Sequence, residues 1–187
     1  MVNKANHVRI IAGQFRSRKL QFPNTQLLRP TTDRIKETLF NWLGNQIVGA
    51  TCLDCFAGSG SLGFEAISRG AKFVTFLESN ANVANAIQLN CQKLNTEANT
   101  KVILYDAIAF LQHPADNAAD IIFLDPPYQQ SLLYQSLDLI IENGWAHTES
   151  FIYIEDNKPI EVDLTQWSIN RRGKAGNVYF ALLKHSL

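Results

Sequence analysis

From residue 51 onward the chain alternates short apolar runs with longer amphipathic ones, and this alternation restricts the fold more than any other feature. The runs 51–56 (TCLDCF), 72–78 (KFVTFLE), 101–105 (KVILY), 119–125 (ADIIFLD) and 150–155 (SFIYIE) read as strands. The stretches 61–69, 80–95, 107–112 and 130–143 read as the helices between them. Short apolar strands separated by helices imply a parallel sheet covered on both faces. The end of the chain differs. Residues 165–171 and 177–184 are strand-like around the turn RGKAG, which predicts an antiparallel hairpin. The expected fold class is therefore α/β, with a mostly parallel seven-stranded sheet and a terminal antiparallel hairpin.

Such a sheet binds ligands beyond the carboxyl ends of its strands. The residues there are 54–60, Glu78, Asp106 and 125–128. The first strand runs into Asp54-Cys55-Phe56-Ala57-Gly58-Ser59-Gly60-Ser61-Leu62-Gly63, and a helix follows. Gly58, Gly60 and Gly63 match G-x-G-x-x-G in the strand-to-helix setting that the motif requires. Glycines there permit a tight turn and a close approach of ligand to backbone. Glu78 ends the second strand, where a carboxylate can accept both hydroxyls of a ribose. Two cofactor classes fit these residues, a dinucleotide and S-adenosylmethionine. Asp54 suits the cationic amino-acid end of the latter, and Asp106 suits its adenine amino group. Each also has an ordinary use: Asp106 can cap the helix that starts at Ala107, and Asp54 can accept from nearby backbone.

The fourth strand ends Phe123-Leu124-Asp125-Pro126-Pro127-Tyr128. Successive prolines fix φ and bias the preceding residues towards extended geometry, so they hold a rigid loop. The Asp125 carboxylate and the Pro126 carbonyl are two acceptors close together. An exocyclic amino group of a base has two N–H donors, and gripping both aims its lone pair at an incoming methyl group. The Tyr128 ring can stack on the flat base, as suits a base taken out of its stack. Taken alone, the motif also fits a proline-rich turn with an Asp cap.

The formal net charge of zero hides an asymmetry. Residues 1–36 hold eight basic side chains against the single acid Asp33, and the remainder holds nine basic and sixteen acidic. A basic arm on an acidic body is the footprint of polyanion binding, although a solvated tail can look the same. Residues 8–12 and 18–22 read as two strands around Gly13, and 27–32 as a linker. A helix starts near Thr31 or Thr32, buries Ile35, Leu39, Trp42 and Leu43, and ends near Gly44. Arg9, Arg16, Arg18, Lys19 and Arg34 are the candidates for phosphate contact. The expected units are a basic hairpin arm and linker over 1–30 and a catalytic domain over 31–187.

Other classes find little support. No apolar run approaches the ~18 residues that span a bilayer, and the first residues lack a secretory core, so a cytoplasmic protein is expected. Cys52 and Cys55 fit C-x-x-C, but on a strand their sulfurs point to opposite faces and cannot share a metal. His7, His113, His147 and His185 stand away from every motif. No metal site is expected.

At this point the chain resembles a known family. DCFAGSGSLGFEAISRGA, FLES and DPPY resemble class I, Rossmann-like methyltransferases. RIIAGQFRSRKL followed by RPTTDRIKETLFNWL resembles the RsmD family more narrowly. Cys55 and Ser61 stand where that family is expected to carry Leu and Ala. The resemblance covers nearly the whole chain. It implies an enzyme, expected as a monomer, that uses S-adenosylmethionine to methylate the N(2) amino group of a guanine in 16S rRNA of the small ribosomal subunit. It places Asp54 and the Gly58–Gly60 turn, with Phe56, Ala57 and Ser59, around the methionine part. It places Glu78 and Ser79 at the ribose and Asp106 with Ala107 at the adenine. Asp125, Pro126, Pro127 and Tyr128 form the guanine site. Rival readings are an adenine N(6) or other base-amino methyltransferase, a protein glutamine methyltransferase (which carries Asn rather than Asp at position 125), a nicotinamide-dependent oxidoreductase and a non-enzymatic RNA-binding module.

Overall fold

The computed structural model describes residues 6–23, 31–127, 130–163 and 165–185. A hairpin comes first: β1 (Asn6–Arg9) pairs antiparallel with β2 (Lys19–Phe22). Helix α1 (Asp33–Leu43) follows, with Thr32 as its N-cap accepting from the Ile35 N–H at 3.4 Å. The alternating part then runs β3 (Thr51–Asp54), α2 (Ser61–Ser68), β4 (Phe73–Glu78), α3 (Ala81–Leu94), β5 (Thr100–Leu104), α4 (Ala107–Leu111), β6 (Ala119–Leu124), α5 (Gln130–Glu142) and β7 (Ala146–Asp156). The chain closes with β8 (Trp167–Ala175) and β9 (Val178–His185).

Seven strands form one sheet in the order β5-β4-β3-β6-β7-β9-β8. The first five are parallel, whereas β9 is antiparallel to both β7 and β8. This is the expected fold class. The sheet separates two apolar layers. Helices α1, α2 and α3 and the N-terminal hairpin build one with Phe76, Phe123 and Phe180. Helices α4 and α5 build the other with Ile122, Ile154 and Leu183. Cys52 lies in the first layer and Cys55 in the second, so the pair is split by the sheet, and burial pushes both thiols up.

Three boundaries differ from expectation for physical reasons. Strand β7 starts at Ala146 rather than 150, because Ala119 already pairs with Ala146 across an irregular stretch of β6 and β7. Strand β8 runs through Arg172, Gly173 and Lys174 to Ala175, so RGKAG is not the turn. The turn is Gly176-Asn177, a pair suited to a two-residue hairpin, with Gly176 at φ +62°. Gly173 instead serves close packing: a Cβ there would stand 2.6 Å from the Phe180 ring and 3.2 Å from Trp42. Residues 44–47 and 97–99 form short 3₁₀ turns that sequence periodicity did not indicate.

The N-terminal hairpin shares the core. Val8, Ile10, Leu20 and Phe22 are buried in the first layer. Glu65 of α2, itself fully buried, accepts the Ile11 and Ala12 N–H groups at 2.8 and 3.0 Å and pairs with Arg69 at 2.8 Å. Asn90 of α3 exchanges two hydrogen bonds with Gln21.

Candidate active site

The order β5-β4-β3-β6 brings four chain segments to one edge of the sheet, so their ends set Asp106, Glu78, Asp54 and Asp125 along that edge. The loop after β3 closes by a Gly60 N–H bond to the Ala57 carbonyl at 2.6 Å, with Gly58 at φ +51° and Gly60 at φ +73°. Side chains with a Cβ rarely adopt such φ, which accounts for both glycines. Gly63 has a different purpose. A Cβ there would come 2.2 Å from the Phe76 ring, so this glycine lets α2 lie close on β4.

Glu78 accepts the Gly58 N–H at 3.0 Å through Oε2 and the Asn80 N–H at 2.8 Å through Oε1. Each oxygen keeps a further lone pair, enough to take the two hydroxyls of a ribose. Asp54 is buried, and its Oδ2 accepts the Gly63 N–H at 3.1 Å. Burial raises its pKa to about 7, opposed by the Gly63 N–H and reinforced by the Glu78 charge. A carboxyl in that state gains from a nearby cation, which is what the ammonium group of S-adenosylmethionine offers. Asp106 is the N-cap of α4, its Oδ1 accepting the Ala109 N–H at 2.9 Å. The structural use and a ligand contact are compatible, since Asp106 is exposed and only its Oδ1 is engaged by the cap. Ala57, Ser59 and Ala107 are buried in the cleft wall, Phe56 is half-buried and Ser79 is exposed. Tyr105, an exposed aromatic next to Asp106, was missed by the sequence reasoning, although an aromatic beside a strand-end acid is a visible signal. These residues fit the adenosyl group and its amino-acid tail.

The acidic corner lies one strand away. Asp125 follows directly on β6, keeps part of its surface accessible, and accepts the Thr31 hydroxyl at 3.2 Å. Pro126 is buried and Pro127 exposed. Tyr128, the expected stacking ring, lies outside the described residues. Since Leu124 pairs with Ile154, Asp125 and Glu155 are the next neighbours across the parallel strands. Glu155 is buried and accepts the Tyr153 hydroxyl at 2.7 Å. Burial pushes the Asp125 carboxyl well above the carboxylate range, and the Glu155 charge adds to this against the Thr31 hydrogen bond. Burial raises Glu155 as well. The charges of Glu78 and Asp54 are felt at Asp54 and Asp125 respectively, so Glu78 and the Asp125 corner belong to one electrostatic neighbourhood. Sequence reasoning does not connect Thr31, a possible helix cap, with Asp125, and it misses Glu155. Glu155 stands at the carboxyl end of β7, where the strand-end rule points.

A groove of about 370 Å³ leads away from Thr31 between the hairpin and the start of α1, lined by His7, Arg9, Lys19, Thr32 and Asp33 among others. Arg9 is exposed yet pairs with Asp33 at 2.6 Å, and the buried Lys36 binds the Arg9 carbonyl at 2.7 Å. Arg34 is exposed in the first turn of α1. Arg16 and Arg18 lie elsewhere, on the loop that packs against Ser68 at the far end of α2, and are exposed. The basic candidates thus fall into two groups. Among the described residues no His, Cys, Asp and Glu cluster could hold a metal ion, and no helix is long and apolar enough to cross a membrane.

Comparison with known proteins agrees with this fold. The family model described as conserved hypothetical protein 95 matches residues 8–184. The protein named ribosomal RNA small subunit methyltransferase D of Haemophilus influenzae is 44% identical, over 98% of this chain and 96% of its own length. Its namesake in Escherichia coli K12 is 42% identical, over 97% and 94%. A solved E. coli structure provisionally named a methyltransferase superposes with a TM-score of 0.88 at 40% identity, covering 97% of this chain and 99% of that one. An H. influenzae structure provisionally named a methylase gives 0.84 at 41%, covering 97% and 100%.

Proposed function

This chain belongs to the conserved hypothetical protein 95 family, the RsmD family of methyltransferases, and on that premise we propose that it transfers a methyl group from S-adenosylmethionine to the N(2) amino group of a guanine in 16S rRNA of the small ribosomal subunit. The observation that carries the proposal is the adjacency of Asp125 and Glu155 beside the ribose-binding cleft. The Watson–Crick edge of guanine presents N1–H beside an amino group, a row of donors. Adenine and cytosine each place an acceptor nitrogen next to the amino group, and that nitrogen would face the same wall of carboxyl oxygens unfavourably. With Asp125 ionised, as its later uptake of a proton requires, two side-by-side carboxyls present acceptors and favour guanine.

The cofactor supplies a methyl group on an activated sulfonium when bound. The chain supplies position and electrostatics. Asp125 and the Pro126 carbonyl accept the two amino N–H groups and aim the nitrogen lone pair into the cleft. Thr31 holds one oxygen of Asp125 in place through its hydroxyl. Methylation makes the nitrogen acidic, and its surplus proton passes to Asp125, whose raised pKa suits it to receive one. Asp125 orients first and takes the proton late.

The test is Asp125→Ala on small subunits that lack the mark. Turnover should fall roughly 10²–10³-fold, the size of effect seen when a preorganised polar group is removed, while affinity for S-adenosylhomocysteine holds. Wild-type turnover in this variant would remove Asp125 from the reaction. A rise in melting point with S-adenosylhomocysteine and none with NAD separates the proposal from the oxidoreductase reading.

A further inference from the structure

A second cavity lies at the same edge of the sheet, in the terminal hairpin. It measures about 350 Å³ and sits between the 157–162 loop and strands β8 and β9. Ile160, Ile169 and Ala181 give it an apolar floor, Tyr179 a flat wall, and Arg172 and Lys174 a basic mouth. No acidic side chain lines it among the described residues. The Lys174 ammonium is held in place, donating to the Tyr179 hydroxyl at 2.7 Å and standing 4.4 Å from the ring centre. Asp156, opposite Tyr179 in the strand pairing, is buried and accepts the Lys158 N–H at 3.2 Å.

The charges are concentrated against the trend of the body. Residues 37–187 hold nine basic side chains among sixteen acidic ones, and Arg171, Arg172 and Lys174 supply three of the nine within four positions. Charges that only guard an edge strand from pairing need solvent and no cavity. Here they border an apolar hollow large enough for a base. Its position also matters. Asp125 neighbours Glu155, Glu155 pairs with Phe180, and Phe180 pairs with Gly173. Three strand spacings, about 14 Å, thus separate the acidic corner from the strand that carries Arg172 and Lys174.

We propose that this cavity holds a nucleotide of the RNA close to the target base, its phosphate against Arg172 and Lys174 and its base on the apolar floor beside Tyr179. The site rests on the RNA reading above and deepens it, giving the substrate a second grip across the sheet edge from the N-terminal groove. It fixes the strand on the far side of the base that enters the Asp125 corner.

Two measurements test it. One is binding of a fluorescently labelled single-stranded RNA oligonucleotide across a salt series, and the other is the kinetics on small subunits lacking the mark. In Arg172→Ala/Lys174→Ala the slope of log affinity against log salt should fall by about 1.4, and KM should rise about tenfold with kcat within about twofold. Ala181→Leu fills the floor while keeping both cations, and should weaken RNA binding about threefold at an unchanged slope. S-adenosylhomocysteine should raise the melting point of every variant as it does that of the wild type, which marks the fold and the cofactor cleft as intact. Unchanged RNA affinity and slope in the double variant overturn the proposal, and so does RNA binding untouched by Ala181→Leu. A wild type that binds the oligonucleotide but leaves subunits unmethylated overturns the activity alone, and the binding arms still decide the cavity.

Discussion

Asp54, Asp125 and Glu155 are all held above the usual carboxylate range, so each opposes folding once it is ionised. Asp54 has a folded pKa of about 7, against ~3.9 for an unfolded chain. Between those values the native state binds a proton that the unfolded state has released, so stability declines as pH rises through that window and stays lower above it. Asp54→Asn should therefore lose less melting temperature than the wild type between about pH 5 and pH 8. Equal losses in thermal melts would show that Asp54 is not the proton holder. Glu155→Gln removes the charge that helps lift Asp125, so the acid limb of the pH–rate profile should move to lower pH, with kcat/KM down about tenfold and S-adenosylhomocysteine affinity retained. A profile that stays in place would leave Glu155 a merely structural acid. The glycine loop, Glu78 and Asp125 were readable because each is a residue type forced by its place at a strand end. Thr31 was not, since its hydroxyl reaches across 94 positions to Asp125 and local pattern offers only the cap beside it.

Period and apolar content were enough to place the five parallel strands, because a strand buried on both faces leaves a short continuous apolar run. The terminal hairpin shows the limit. Gly173 looked like a turn residue and is a packing residue, since what demands it is the Phe180 ring on the next strand and Trp42 on α1. The N-terminal hairpin was visible as strands but not as part of the core, because Glu65 and Asn90, which fasten it, lie in distant helices. Gly13 is its tightest point. It has φ +81°, and a Cβ would meet the Ser68 carbonyl oxygen at 1.9 Å. Gly13→Ala should cost about 3 kcal/mol, from the left-handed backbone and the displaced contact with α2. For a chain of this length that is a fall of roughly 6–12 °C in Tm, measurable by calorimetry. A shift under about 2 °C would mean that the loop moves aside without loss.

Over the whole molecule, basic groups border the acidic edge of the sheet on two sides, the groove of Arg9 and Lys19 and the mouth formed by Arg172 and Lys174, while Arg16 and Arg18 lie farther off. A long polyanion can touch all three. Replacing Arg16, Arg18 and Lys19 together by Ala should lower the salt slope of RNA binding by about 2–2.7 and leave cofactor binding alone, as filter binding at several ionic strengths would show. An unchanged slope would count the loop as a solvated surface. The way the hairpin is fastened also bears on how the protein is made. Its strands are synthesised first, but their partners Glu65 and Asn90 leave the ribosome only tens of residues later, and Asp125, which Thr31 meets, later still. The hairpin is therefore seated late, and a translation product truncated before those partners would expose Val8, Ile10, Leu20 and Phe22.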